Sequence, residues 1–336
     1  MSRAALLITL GLTVCTAVAI QSGATAIGWT DWIGWLNPEG PSSTQAAVLW
    51  QIRLPRIALA LLAGAALGLS GALTQGLFRN PLADPGLLGV TSGAACAAAL
   101  SLIIATRLNL PFPEDMRPGL LPMSALAGAL TVAFMLDRFA RWFGSGSIAA
   151  LLLCGIALNA LTGATIGLCT YLADDAQLRS LSFWMLGSLA GAAWPWIAAL
   201  ALLLACAARQ IAALGRALNV LALGEMQAHH CGLSVRRLRS RLVVWIAALC
   251  GITVAWCGMI GFIGLIAPHA VRLCIGADHR RVLPLSMGTG ALLLLAADTL
   301  ARSIAVPAEI PVGIFTALLG APFFLLLLRN SRHCIG

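Results

Sequence analysis

Arg53 and Arg56 stand three residues apart in QIRLPRIALALLAGAALGLSG, residues 51–71, at the mouth of a long apolar run. That spacing puts both guanidinium groups on one face of a helix. A third arginine, Arg302, closes another apolar run four residues after Asp298. Guanidinium groups recognise carboxylates and phosphates through paired hydrogen bonds. Three readings are open for the trio: snorkelling to lipid headgroups, an internal Asp298–Arg302 pair, or a positive patch that docks an acidic partner. Covalent chemistry is not indicated. All 21 basic residues of the 336-residue chain are arginine. The chain therefore lacks the lysine of a Walker A loop and any Schiff-base lysine. HExxH and G-x-S-x-G are also missing from the sequence.

The elements that must carry these residues belong to a membrane protein. Charged residues make up 10% of the chain and hydrophobic ones 60%, against about 25% charged in a soluble domain. Apolar runs of spanning length lie near 4–22, 57–77, 87–106, 119–136, 147–171, 194–213, 242–266, 283–302 and 311–328. The stretch 242–276 holds Gly258, Gly261, Gly264 and Pro268 and reads as one span plus a short second helix. With the N-terminus inside, most arginines fall on the inner side. Arg53, Arg56, Arg107, Arg117, Arg179 and Arg302 fall outside. Basic flanks on both sides of 242–276 favour two crossings there, ten in all, with both termini cytoplasmic. The N-terminal run from Arg3, with Ala24-Thr25-Ala26 after it, resembles a signal peptide; a retained first helix is the expectation. The net charge of +9 follows from the inner arginine bias, with no nucleic-acid partner. Trp29, Trp32, Trp35 and Trp50 read as interfacial anchors. Most of the ten cysteines sit in apolar runs without a CxxC pair, as small packing residues and not as a metal site.

Polar groups at depth are few. Gln75 and Asn159 are the notable ones, as cross-helix hydrogen bonders or as part of a substrate path. Buried Asp and Glu are expected to be absent, which argues against a proton- or sodium-driven carrier working alone, since such carriers place acids at midplane. Small residues four apart, Gly64 with Gly68 and Gly163 with Gly167, predict close helix packing. The inner loop 214–241, LGRALNVLALGEMQAHHCGLSVRRLRSR, is too polar to span and breaks at Gly224 and Gly232. It is either a topogenic basic loop or a docking site for a cytoplasmic partner. His229 and His230 are adjacent, so on a helix they point different ways. His269 and His279 lie ten apart, which assigns no role.

RLPRIALALLAGAALGLSGALTQGLFRNPLADPGLLGV resembles the permease subunits of ABC importers for iron–siderophore, haem and cobalamin, the FecCD type. LGEMQAHHCGL, GFIGLIAPHAVRLCIGADHR, LAADTLAR and EIPVGIFTALLGAPFFLLLL extend the likeness over about residues 50–330. The resemblance implies an all-α polytopic bundle of about ten helices, the type II ABC importer permease fold, as a single domain over residues 1–336. It implies a homodimer in the inner membrane, with the path at the dimer axis and ATP bound by two separate cytoplasmic ATPase subunits. A periplasmic binding protein would deliver substrate. In this family Arg53, Arg56 and Arg302 match docking positions for acidic residues of that protein. Gly224, Glu225, Ala228 and Gly232 match the element, within 214–241, that couples to the ATPase.

RNPLADPGLLGV with LRSLSFWMLGSLAGAAW looks most like the haem branch, so haem is the expected substrate and no cofactor is permanently bound. Cobalamin or a ferric siderophore is the alternative, and a stand-alone carrier a remote one. Arg179 would meet a haem propionate near the path mouth, or else pair with Asp174 or Asp175.

Overall fold

A computed structural model describes residues 3–23, 44–107, 117–144, 147–304 and 308–331. The Ala24–Ala26 site, Trp29, Trp32 and Trp35 lie outside the described residues. The helices, in chain order, are α1 (Arg3–Gln21), α2 (Thr44–Phe78), α3 (Val90–Arg107), α4 (Arg117–Gly144), α5 (Ile148–Leu172), α6 (Asp175–Met185) and α7 (Trp194–Ala208). They continue with α8 (Ile211–Ala222), α9 (Glu225–His230), α10 (Val235–Cys257), α11 (Ile263–Ile275), α12 (His279–Ile304) and α13 (Val312–Ser331). No strand occurs among the described residues. The reason is general: inside lipid a helix satisfies its own backbone groups.

Six helices, α1, α2, α4, α5, α10 and α12, are long and apolar enough to cross a membrane. The α7–α8 pair, bent by 55°, makes a seventh candidate, and α3, α11 and α13 are shorter apolar helices. Six or seven of the ten expected crossings are thus of spanning length among the described residues, and the other three fall on the shorter apolar helices. The 242–276 stretch divides as expected: α10 stops at Gly258, whose φ is +68°, and α11 starts after Phe262.

α2 is the buried axis of the bundle, with 78% of its apolar window enclosed. Its contact with α12 depends on small residues. A Cβ at Gly64 would sit 2.3 Å from the Gly290 carbonyl oxygen, and one at Gly68 would sit 2.1 Å from that of Ser286. Backbone meets backbone there, the close approach that drives helix association in lipid. Gly163 and Gly167 behave differently from the expectation. Both lie on the exposed face of α5 with nothing near their Cβ positions, so they pack no neighbour among the described residues. α1 is mostly exposed but lies along α12, where Leu292 approaches Gly11 and Ile8 approaches Gly288.

Candidate functional site

The entry to α2 is irregular where the arginines sit. A π turn over Leu49–Arg53 precedes Pro55, which has no N–H to continue the α-helical ladder. Arg53 and Arg56 emerge here, but they do not form an open positive patch. Arg56 is 8% exposed. Its Nε and Nη2 donate to Asp298, Nη2 at 2.9 Å, and its Nη1 donates to both Glu309 oxygens at 2.8 and 2.9 Å. Arg302 lies 3.8 Å from Asp298. It also donates to the carbonyl oxygens of Ser22, at 2.7 Å, and Ala19. Arg53 donates to the Ile20 carbonyl oxygen at 2.6 Å. The trio therefore ties the end of α1 to α2 and α12. Desolvation explains the arrangement: a guanidinium inside a protein must be paired. The expectation of no buried acids is corrected too. Asp298 is 1% exposed, but it lies near the end of α12, paired, and not at its centre.

The opposite end holds a tight elbow between α8 and α10. Gly224 has φ +120° and Gly232 φ +77°, a region closed to most side chains. Gly232 donates to the His229 carbonyl, and Leu233 to that of Ala228, at 2.9 and 3.0 Å. That pattern is a Schellman cap, which ends α9 after six residues. Ala228 is fully buried and pins α9 to the bundle. Glu225 forms a salt bridge with Arg239 of α10 and lies 4.0 Å from Arg79. Arg79 itself caps α2 with φ +50°, a conformation uncommon in residues other than glycine. The four residues expected to couple thus form one elbow, braced from α2 and α10. Leu223 and Met226 project from it, 66% and 73% exposed. Sequence reading missed them, although apolar residues in so polar a loop were the available signal.

A second brace lies beside the elbow. Asn219 donates to Asp278 at 2.7 Å and accepts from the His279 N–H at 2.9 Å. Asp278 is held below the usual carboxylate range, first by the Asn219 hydrogen bond, then by the Arg280 N–H and the charges of Arg280 and Arg281. His279 is buried at this contact and His269 within α11. The rings of His229 and His230 stand 84° apart and so point in different directions.

The expected path residues are dispersed. Gln75 is buried and donates to the Leu265 carbonyl at 3.2 Å, joining α2 to α11. Asn159 accepts from Ser92 and donates to the Gly86 carbonyl, stitching α5 to the turn before α3. Arg179 is exposed on α6. It forms no ion pair with Asp174 or Asp175 among the described residues. Asp174 instead caps α6 in a reciprocal pair with Gln177.

The FecCD transport family matches residues 11–330. The chain belongs to this family. Among FecCD relatives, the hemin transport system permease protein of Yersinia pestis is 48% identical over 288 residues, 85% of this chain and 84% of that one. A vitamin B12 import system permease protein of Klebsiella pneumoniae is 43% identical over 302 residues, 89% and 87% of the two chains. A solved structure described as a metal-chelate type ABC transporter in an inward-facing conformation matches with a TM-score of 0.82. It is 32% identical over 97% of this chain and 98% of that one. The chain is accordingly a membrane-embedded permease of the FecCD type, with the all-helical fold expected from its motifs.

Proposed function

We propose that this FecCD permease imports haem as one half of a homodimer in the inner membrane, with both termini cytoplasmic. The observation that carries the substrate is the 48% identity to a hemin permease over most of both chains. A periplasmic binding protein would dock at the Arg53, Arg56 and Arg302 end, where Glu309 is the outward-facing member of the network, 49% exposed. Two ATPase subunits would hold the 214–241 coupling loop, with Leu223 and Met226 as apolar knobs and the Gly224–Gly232 elbow as the lever. ATP is bound by those subunits. Closure of the ATPases would shift the elbows and switch the side to which the path opens, a rigid-body transition between two packings. The exposed small-residue face of α5, with Gly163 and Gly167, suits a second copy of the chain.

Uptake into vesicles holding this chain and its ATPase, with the cognate binding protein outside, tests the reading. ATP-dependent accumulation of haem, but not of cobalamin or a ferric siderophore, is the expected result. Cobalamin is the second reading, supported by relatives such as the Klebsiella permease at 43% identity. Its uptake alone would replace haem while leaving the architecture intact.

A further inference from the structure

Two cavities abut where α4 ends and α5 begins. The larger, about 620 Å³, is apolar and is lined by Phe139, Phe143, Leu153, Cys154, Leu158 and Leu161 among others. The smaller, about 370 Å³, is lined by Arg138, Phe139, Arg141, Trp142 and Arg236. Phe139 lines both, so an apolar cleft lies beside a group of three arginines.

Two features mark this junction as built for a ligand. Trp142 and Phe143 are stacked at 5.3 Å with 16° between their planes, yet they are 74% and 72% exposed. A parallel aromatic pair left bare presents a flat face for another flat group. The arginines are also unequally engaged. Arg141 pairs with Asp137 at 2.7 Å, and Asp137 accepts from Ser240 as well. Arg138 and Arg236 are exposed and form no ion pair among the described residues. The site thus offers a planar apolar surface, an apolar chamber and two unneutralised cations.

We propose that this junction is a release site for a planar, apolar macrocycle bearing carboxylates, the chemistry of haem. The ring lies against Trp142 and Phe143 with its edge in the chamber, and its two carboxylates meet Arg138 and Arg236. The inference rests on the haem reading above and deepens it. By the arginine distribution this end of α4 faces the cytoplasm, the side on which imported cargo leaves. Exposed ion pairs are weak, which suits a station that must release its cargo. An anionic phospholipid matches the charge and the chamber, but it has no planar face for the aromatic pair.

The permease–ATPase complex in phosphatidylcholine nanodiscs provides the test. Hemin and hemin dimethyl ester, whose carboxylates are blocked, are titrated while tryptophan quenching and the haem absorption band are followed. The intact protein is expected to bind hemin about two- to thirtyfold more tightly than the ester, the range given by two exposed ion pairs. Arg138→Ala with Arg236→Ala should abolish that preference, and Arg138→Lys with Arg236→Lys should restore part of it. Trp142→Leu should weaken hemin binding. Equal binding of hemin by the alanine variant and the intact complex overturns the proposal. So does a loss confined to ATPase binding, which would make the arginines a subunit contact. Displacement of hemin by added phosphatidylglycerol at stoichiometric amounts would make the site a lipid site and also overturns it. Uptake by the unmutated system separates the two levels. If vesicles import cobalamin and no haem, the parent reading fails. If they import haem and the variants match the intact protein, only the release site fails.

Discussion

Arg56 and Asp298, 242 positions apart in the chain, meet as a buried pair at 2.9 Å. The contact fixes the start of α2 against the end of α12, and Arg302 and Glu309 complete the cluster. Removing one member of a buried pair strands the other. Asp298→Asn is therefore expected to destabilise the protein by about 3–5 kcal/mol, read as a lower thermal midpoint in detergent. The double change Arg56→Met with Asp298→Leu should cost less than the sum of the singles. An unchanged midpoint in Asp298→Asn would show that the pair holds nothing together.

Glu309 is the exposed end of the same network, and it holds the Nη1 of Arg56. An acidic residue of a docking protein that seeks Arg56 must displace it. Glu309→Gln weakens the internal competitor, so docking at moderate salt is expected to tighten severalfold, mostly through the charge-steered association rate. Replacing Arg53 and Arg56 by glutamate is a poorer test, because both arginines are buried and their loss would perturb the fold. Unchanged affinity for the binding protein in Glu309→Gln would mean that the partner's acid never reaches Arg56.

At the elbow, Gly224→Ala and Gly232→Ala place a Cβ at positive φ, at a local cost of about 1–3 kcal/mol each. α9 should then lose its fixed angle to α10. ATP hydrolysis is expected to persist while transport per ATP falls. Glu225→Arg removes the tie to Arg239 and puts a like charge beside it, with the same expected result. Leu223→Ser with Met226→Ser should instead weaken ATPase binding itself, measured by co-purification. Normal transport per ATP in Gly224→Ala would remove the elbow from the coupling role.

How much of this was legible in the residues differs from place to place. The long apolar helices, the split of 242–276 and the breaks at Gly224 and Gly232 follow from apolar run length and from glycine's access to positive φ. Those signals are local. The pairing of Arg56 with Asp298 is not local. Spacing along one helix pointed to Arg302 as the partner of Asp298, whereas the closer guanidinium comes from a distant helix. Gly64 and Gly163 look alike in sequence, each with a glycine four residues on. One packs backbone to backbone against α12 and the other faces outward, because the neighbour is set by topology. Asn219 gave no sign of its brace, since one asparagine in a polar stretch is indistinguishable from a solvated one.

The Asn219–Asp278 contact has a consequence in pH. Asp278 has its acidity strengthened by Asn219, by the Arg280 N–H and by the neighbouring arginine charges. A carboxylate whose folded pKa is depressed contributes stability above its unfolded value, near about 3.9. That contribution disappears as pH falls through the lower folded value. Asn219→Ala removes the largest cause and moves Asp278 back toward the ordinary value. The thermal midpoint of the variant should therefore trail the unmutated protein most at neutral pH, and the gap should narrow below about pH 4. A residual gap is expected at every pH, because Asn219 also receives the His279 N–H. A gap of constant size from neutral to acid pH would show that the carboxylate gains nothing from the amide and that Asn219 acts through His279 alone.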